Sequence, residues 1–372
     1  MLGGRSIRRA AGPVALVTCV VLLAGCTSSA PGAMALTAPK TGSGIGQPSP
    51  FLGANLSSVA CGATLRCVAS AVSFDPNPTS ATLTTSTNGG LVWRHATGDL
   101  PSGAEFLSTG CAASVCMVAG RSLYGALAYA SAKPAAPWKP TAVIEKGSVT
   151  QAVTCAGLRW CMVIAADSSH VFAVSSLSAG AAWTAEGSLP AGTATIQDIS
   201  CSSTLHCLAT GTTSTGAPEV AMTPDGGETW TTSTLPSTPG IVGVLGAACR
   251  SGTTCIAIVT TSLSGASTIL ESSDDGATFG ALLDPSTAPV SQPLAVSCVA
   301  TTCVIVGRST SGSGAALELA TPGTTRSLSL AYVPTALLSV SCPTTTRCVA
   351  ASTASLVVLS PSVPKARQQQ SR

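Results

Sequence analysis

Thr223-Pro-Asp-Gly-Gly-Glu-Thr-Trp230 closes a repeat that opens at Asp198-Ile-Ser-Cys201-Ser-Ser-Thr-Leu-His-Cys207. The first stretch ends a strand at Cys201, turns through Ser202–His206, and returns as a strand over Cys207–Gly211. A polar segment, Thr212–Ala217, leads to a third strand at Glu219-Val-Ala-Met222. The eight-residue turn follows, and a fourth strand is expected to run to about Leu235. In such a turn an Asp side chain bonds nearby backbone, Gly takes the left-handed conformation, and the aromatic packs inward. One repeat therefore reads as four antiparallel strands in an up-and-down sheet.

The Cys201/Cys207 pair recurs. Cys61/Cys67, Cys111/Cys116, Cys155/Cys161, Cys249/Cys255, Cys298/Cys303 and Cys342/Cys348 complete seven pairs, whose first members are 50, 44, 46, 48, 49 and 44 residues apart. A period of roughly 40–50 residues marks a repeat array such as a propeller or solenoid. Facing residues across an antiparallel hairpin are close enough for a disulfide. Each pair is expected to bridge its own hairpin, fixing register within a repeat without tying one repeat to another. Zinc sites favour closer C-x2-C spacings, often with His, and the chain has three His. No metal site and no cofactor are expected. Charged residues are 9% of the chain, and Val, Thr, Ser, Ala and Gly dominate the interior, which points to an all-β fold. Aromatics are 3%, so the core must be built from small aliphatic side chains.

The turn has further copies. Ser86-Thr-Asn-Gly-Gly-Leu-Val-Trp93 carries Asn88 at the Asp position, and Ser272-Ser-Asp-Asp-Gly-Ala-Thr-Phe279 carries Phe for Trp. Ser176-Leu-Ser-Ala-Gly-Ala-Ala-Trp183 is a weaker copy with Ser178, and the second repeat keeps the aromatic alone, at Trp138. These segments resemble the Asp-box, or BNR repeat, of sialidase-like propellers, with Asn88, Trp93, Asp225, Trp230, Asp274 and Phe279 in the structural positions. The repeat architecture is also similar to the photosystem II assembly factor group, a non-catalytic propeller. The resemblance implies a seven-bladed β-propeller of four-stranded antiparallel blades, with one disulfide in each blade. The last repeat stops after its third strand, Ser355–Ser360, so a segment within residues 33–50 is expected to supply the missing outer strand.

The chain begins with Arg5, Arg8 and Arg9 ahead of an apolar run, Ala10–Leu23, that is short for a membrane span. Leu23-Ala24-Gly25-Cys26 resembles the lipobox of bacterial lipoproteins, which implies cleavage before Cys26 and lipidation of its thiol. The expected domains are a signal peptide at 1–25, a lipidated Cys and flexible tether at 26–50, the propeller at 51–361, and a polar tail at 362–372. Fourteen cysteines then remain for seven bridges, consistent with an extracytoplasmic, membrane-anchored protein. Lys plus Arg number 18 against 15 Asp plus Glu, and the three signal-peptide arginines account for the excess. No basic cluster suited to nucleic acid remains.

By the same resemblance, hairpin disulfides and Asp-boxes share one face, and the opposite face is the usual binding face. The connections expected there hold Arg121, Tyr124, Asp167, His170 and Arg308 as candidate ligand-binding residues, with Glu105, Gln197 and Asp198 in the loops between blades. Arg121 and Arg308 each follow a Gly four residues after the second Cys, and together could hold a carboxylate. A sialidase-like glycoside hydrolase would also need a Tyr nucleophile with an acidic partner and an acid/base carboxylate, and no convincing partner for Tyr124 is identifiable. No G-x-S-x-G, H-E-x-x-H or G-x-x-x-x-G-K motif is present. The reading favours a binding or scaffold protein for a protein or glycan partner over a hydrolase, with no catalytic residue assigned.

Overall fold

The computed structural model describes residues 47–48, 54–73, 83–101, 104–122, 125–132, 136–141, 148–237, 240–250, 253–261, 266–283, 290–321, 324–328, 330 and 333–360. Cys26, Tyr124 and the 362–372 tail lie outside them. The chain forms seven four-stranded antiparallel sheets, the blades of a β-propeller. Strands are lettered a to d from the central channel outward. Strand d is often short; in blade 4 it spans Thr231–Thr232, not a run to Leu235. Blade 7 takes its outermost strand from the other end of the chain: Gln47 pairs with Leu356 and Pro48 with Ser355, antiparallel.

Each b strand is buried on both sides, because a blade is sandwiched between two others. In blade 3, Cys161, Met162, Val163, Ile164 and Ala165 are all fully buried. Alternate side chains enter different cores. Met162 and Ile164 pack with Ile196, Ile199 and Trp230 of blade 4, while Cys161 and Val163 pack with Met117 and Val153 on the blade 2 side. Seven such clusters fill the seven junctions between blades. Apolar burial therefore holds blades to one another as well as internally.

A disulfide closes the a–b hairpin of every blade, with the paired Cα atoms 3.9–4.1 Å apart. The seven bridges suit an oxidising environment. Their role is wider than the hairpin staple expected from the spacing. The second cysteine of each pair lies on strand b, and Cys67, Cys116, Cys161, Cys255, Cys303 and Cys348 have no exposed surface at all; Cys207 has 3%. Each packs against the b strand of the preceding blade. Cys116 of blade 2 meets the cluster of Val68, Cys303 of blade 6 that of Ile256 and Ile258, and Cys348 of blade 7 that of Val304 and Val306. Cys67 of blade 1 packs with Val349 and Ala351 of blade 7, so the same contact spans the ring closure. These sulfurs are core atoms as well as cross-links.

Where an Asp-box follows, its first residue sits directly opposite the second cysteine, as Thr223 opposes Cys207 and Ser272 opposes Cys255. Bridges and boxes thus share one face, the disulfide face. In blade 4 the Thr223 hydroxyl accepts the Gly227 N–H at 2.9 Å and donates to Asp225 at 2.8 Å, while Asp225 accepts the Thr229 N–H at 2.9 Å. The turn needs two consecutive left-handed residues, Gly226 and Gly227, at φ 79° and 107°. Blade 3 substitutes Ser178, whose hydroxyl accepts the Ala182 N–H at 2.8 Å, but there the Trp183 indole N–H is buried without a partner.

Basic side chains next to the cysteines add ties between blades. Buried Arg66 donates to the Ser131 carbonyl and hydroxyl in blade 2, and Arg347 donates to the Asn88 carbonyl across the closure.

Candidate functional site

One feature of the a strands recurs in all seven blades. The a–b pairing skips a single residue four positions before the first cysteine: Ser57, Leu107, Gln151, Gln197, Leu245, Leu294 and Leu338. A β-bulge leaves that residue unpaired and turns its side chain out of the regular alternation. The same bulge explains the glycines at Gly120, Gly211 and Gly307. A Cβ there would strike the carbonyl of Glu105, Thr195 or Gln292 on the facing strand.

The bulges ring the central channel. A cavity of about 610 Å³ occupies its disulfide-face half, running from the bulge residues to the hairpins, and includes Gly62, Ala113, Gly157 and Ser202 in its wall. The described wall thus runs toward the disulfide face, while several connections of the opposite face, where the resemblance places binding, lie outside the described residues. Six bulge residues line it; Gln151 does not, because its side chain accepts the Ile196 N–H of blade 4 at 2.7 Å. Leu107 and Leu338 are exposed to the channel, and Leu245 and Leu294 are half-buried. On the same face but outside the cavity wall, the hairpin and Asp-box tips of blades 3 and 4 carry Leu158, Leu177 and Leu205, exposed by 73%, 79% and 53%.

One residue nearer the cysteine lies a second ring: Ser58, Ser108, Ala152, Asp198, Gly246, Ala295 and Ser339. Its hydroxyls join neighbouring blades. Ser339 accepts the Val59 N–H at 3.1 Å, Ser108 accepts the Val153 N–H at 3.0 Å, and Ser58 bonds Thr109 at 2.8 Å. Asp198 occupies this position in blade 4 and is, among the described residues, the sole ionisable side chain in the cavity wall. Gln197 and Asp198 thus sit within strand a, Thr193–Cys201, rather than in a loop, because the strand begins earlier than the hydrophobic pattern suggests and accommodates the bulge. Desolvation in the channel wall, opposed by a hydrogen bond from the Ile199 N–H, raises the Asp198 carboxyl to about 6.

Of the candidate ligand-binding residues, Asp167, His170 and Arg308 lie elsewhere, and Tyr124 lies outside the described residues. Asp167, Ser169 and His170 share the turn between strands b and c of blade 3. Asp167 Oδ1 accepts the Ser169 N–H, the Ser169 hydroxyl and the His170 N–H at 2.6–2.9 Å. These bonds, the Ser169 hydroxyl first, hold Asp167 at about 2. The Ser169 hydroxyl also lies 2.8 Å from His170 Nδ1, which is itself 3.2 Å from Asp167 Oδ1, so serine and carboxylate share one ring nitrogen instead of taking opposite ones as in a Ser-His-Asp triad; the set is a self-capped turn. Arg121 is the penultimate residue of strand b in blade 2 and Arg308 the last of strand b in blade 6, at equivalent register positions opposite Glu105 and Gln292. The Arg121 side chain lies outside the described residues. Arg308 is exposed, and neither it, Asp167 nor His170 lines the cavity. Among the described residues, no group of three or more His, Cys, Asp or Glu could hold a metal ion.

No protein-family model matches the chain, and no curated protein matches it. Solved structures do. A structure of YCF48 bound to D1 peptide superposes with TM-score 0.62 at 14% identity, covering 86% of this chain and 97% of the other. YCF48 from Cyanidioschyzon merolae gives 0.60 at 13%, covering 85% and 98%. A catalytically inactive virginiamycin B lyase from Staphylococcus aureus with Quinupristin gives 0.60 at 9%, again covering 85% and 98%. Likeness at these identities is likeness of fold.

Proposed function

We propose that this protein is a lipid-anchored, extracytoplasmic binding propeller that engages a protein partner through its central channel and performs no chemistry there. The observation that carries the reading is the make-up of the cavity wall. Among the described residues, hydroxyls, backbone, the Gln197 amide, small aliphatic side chains, four leucines and a single carboxylate line it. Glycoside hydrolysis ordinarily needs two carboxyl groups across the scissile bond, whereas a largely polar wall of hydroxyls and backbone, interrupted by leucines, suits recognition of a peptide without chemistry. Exposed leucines on the hairpin and Asp-box tips of the same face, Leu158, Leu177 and Leu205, add apolar surface there, which favours a protein over a glycan. That the same fold in YCF48 is seen with a D1 peptide is consistent with this reading. Cys26 would provide the lipid attachment and the Ser/Pro/Gly-rich segment after it the tether.

Crosslinking in intact cells, followed by capture of the full chain, should recover a discrete partner. Turnover of any member of a glycoside panel by the purified protein would overturn the non-catalytic reading. Cys26→Ser should release the protein from the membrane fraction; retention of the variant there would remove the anchor from the proposal.

A further inference from the structure

We propose that the channel recognises a basic peptide side chain, lysine or arginine, at Asp198, with neighbouring aliphatic side chains of the same peptide on the leucines of the bulge ring. This deepens the binding role proposed above and rests on it.

The ring containing Asp198 carries the argument. At this position Ser58, Ser108 and Ser339 use their oxygens to join adjacent inner strands. Asp198 makes no such join among the described hydrogen bonds, and its one bond is local, from the Ile199 N–H. It faces Gly246, the single glycine of the ring, where a Cβ would stand 3.2 Å from Asp198 Oδ2. Any other residue at 246 would fill the space beside the carboxylate. A structural tie would be served by the serine used in other blades. A carboxylate held partly out of water, without a cation and with room kept beside it, instead suits an incoming positive charge.

The neighbours make the ligand amphipathic. The residue before Asp198 is a bulge residue, and four of the seven bulge positions are leucine: Leu107, Leu245, Leu294 and Leu338. Leu245 is adjacent to Gly246, so carboxylate, gap and apolar contact lie together. A cation carried on an aliphatic stem, with apolar residues beside it, satisfies all three. The strand paired with Asp198 and the inner strands on either side bring no other titratable group to the wall. The pH response of binding therefore belongs to Asp198 alone: the carboxylate form binds, and its loss as pH falls through about 6 weakens binding.

The test is selection from a phage-displayed random hexapeptide library on the full chain at pH 7.5. Recovered sequences should carry Lys or Arg beside Leu, Ile or Val. For a synthetic copy of the best peptide, replacing its basic residue by norleucine should weaken binding roughly tenfold or more. Asp198→Asn should do the same and abolish the decline between pH 7 and 5, while near-ultraviolet circular dichroism confirms that the variant is folded. Gly246→Ala should weaken binding without changing the pH profile. Recovery of acidic peptides, of peptides indifferent to Asp198→Asn, or of none would overturn the proposal. A cellular partner captured equally by the wild type and Asp198→Asn would leave the binding role standing and remove this assignment alone.

Discussion

The disulfide hairpins and the bulge ring occupy neighbouring turns of the same seven strands, yet they use repetition in opposite ways. At the hairpins the chemistry repeats: two cysteines are joined in every blade, and the second is buried against the blade before it. At the bulges only the backbone repeats, and the side chains are serine, leucine or glutamine. The first region is fixed by a covalent requirement that no other residue meets. The second needs only one unpaired residue, so its side chain is free to serve the channel. A repeat protein can thus separate the positions that hold the ring together from those that face a ligand.

The contrast breaks most sharply at a bridge. Replacing Cys201 and Cys207 together by Ala, which keeps the buried position apolar, should cost about 2 kcal/mol, measured by urea unfolding. The short loop they close regains its freedom in the unfolded chain. A cost below about 0.5 kcal/mol would show that blade packing alone sets hairpin register. Next comes the turn beside it. Thr223 is buried and both accepts the Gly227 N–H and donates to Asp225. Thr223→Ala should cost about 1–2 kcal/mol by leaving a buried N–H unmatched.

Asp198 should behave in the opposite sense. Its carboxyl is raised from 3.8 to about 6 in the folded chain, so the fold binds a proton more readily than the unfolded chain does. Its contribution to stability is fullest below pH 4 and is lost as pH rises through 6. Asp198→Asn should therefore raise stability at pH 7.5 by about 1 kcal/mol, less than the full shift implies because channel water screens the charge, and the difference should vanish by pH 4. Thermal unfolding at the two pH values checks this. Asp225 has the reverse linkage. Desolvation is outweighed there by bonds from Thr229 and Thr223, which hold it at about 2, so its contribution is present above pH 4 and lost as pH falls toward 2.

What the sequence reveals follows the same division. Cysteine pairs and Asp-boxes are legible because side-chain identity is the structural device there. The blade count, and an outer strand taken from within residues 33–50, follow from counting them. The packing of Cys67, Cys116, Cys303 and Cys348 between blades is not legible, because the partners lie a whole repeat away or, for Cys67, at the far end of the chain. The bulges are not visible in hydrophobic patterning, since one extra residue merely reverses the inside–outside alternation and blurs it. Aligning the strands on their first cysteines would have revealed the leucines at 107, 245, 294 and 338 in one column. Asp198 reads as a loop acid beside Gln197 because neither looks like an inner-strand residue. The ties made by Arg66 and Arg347 have no signal in the sequence, because their partners, Ser131 and Asn88, belong to other blades.

The smallest expected effect tests the separation most directly. Leu338 is a bulge residue of blade 7, exposed to the channel by 36%, and the strand register on either side of it is set by Leu337 and Ser339. Leu338→Ser removes apolar surface that folding leaves wet, so stability should change by less than about 0.5 kcal/mol. Ser339→Ala, one residue on, removes the acceptor for the Val59 N–H and should cost about 1 kcal/mol. Paired urea melts would show whether adjacent residues divide so cleanly. If Leu338→Ser proves as costly as Ser339→Ala, the bulge leucines belong to the scaffold, and the channel loses the apolar half of its recognition surface.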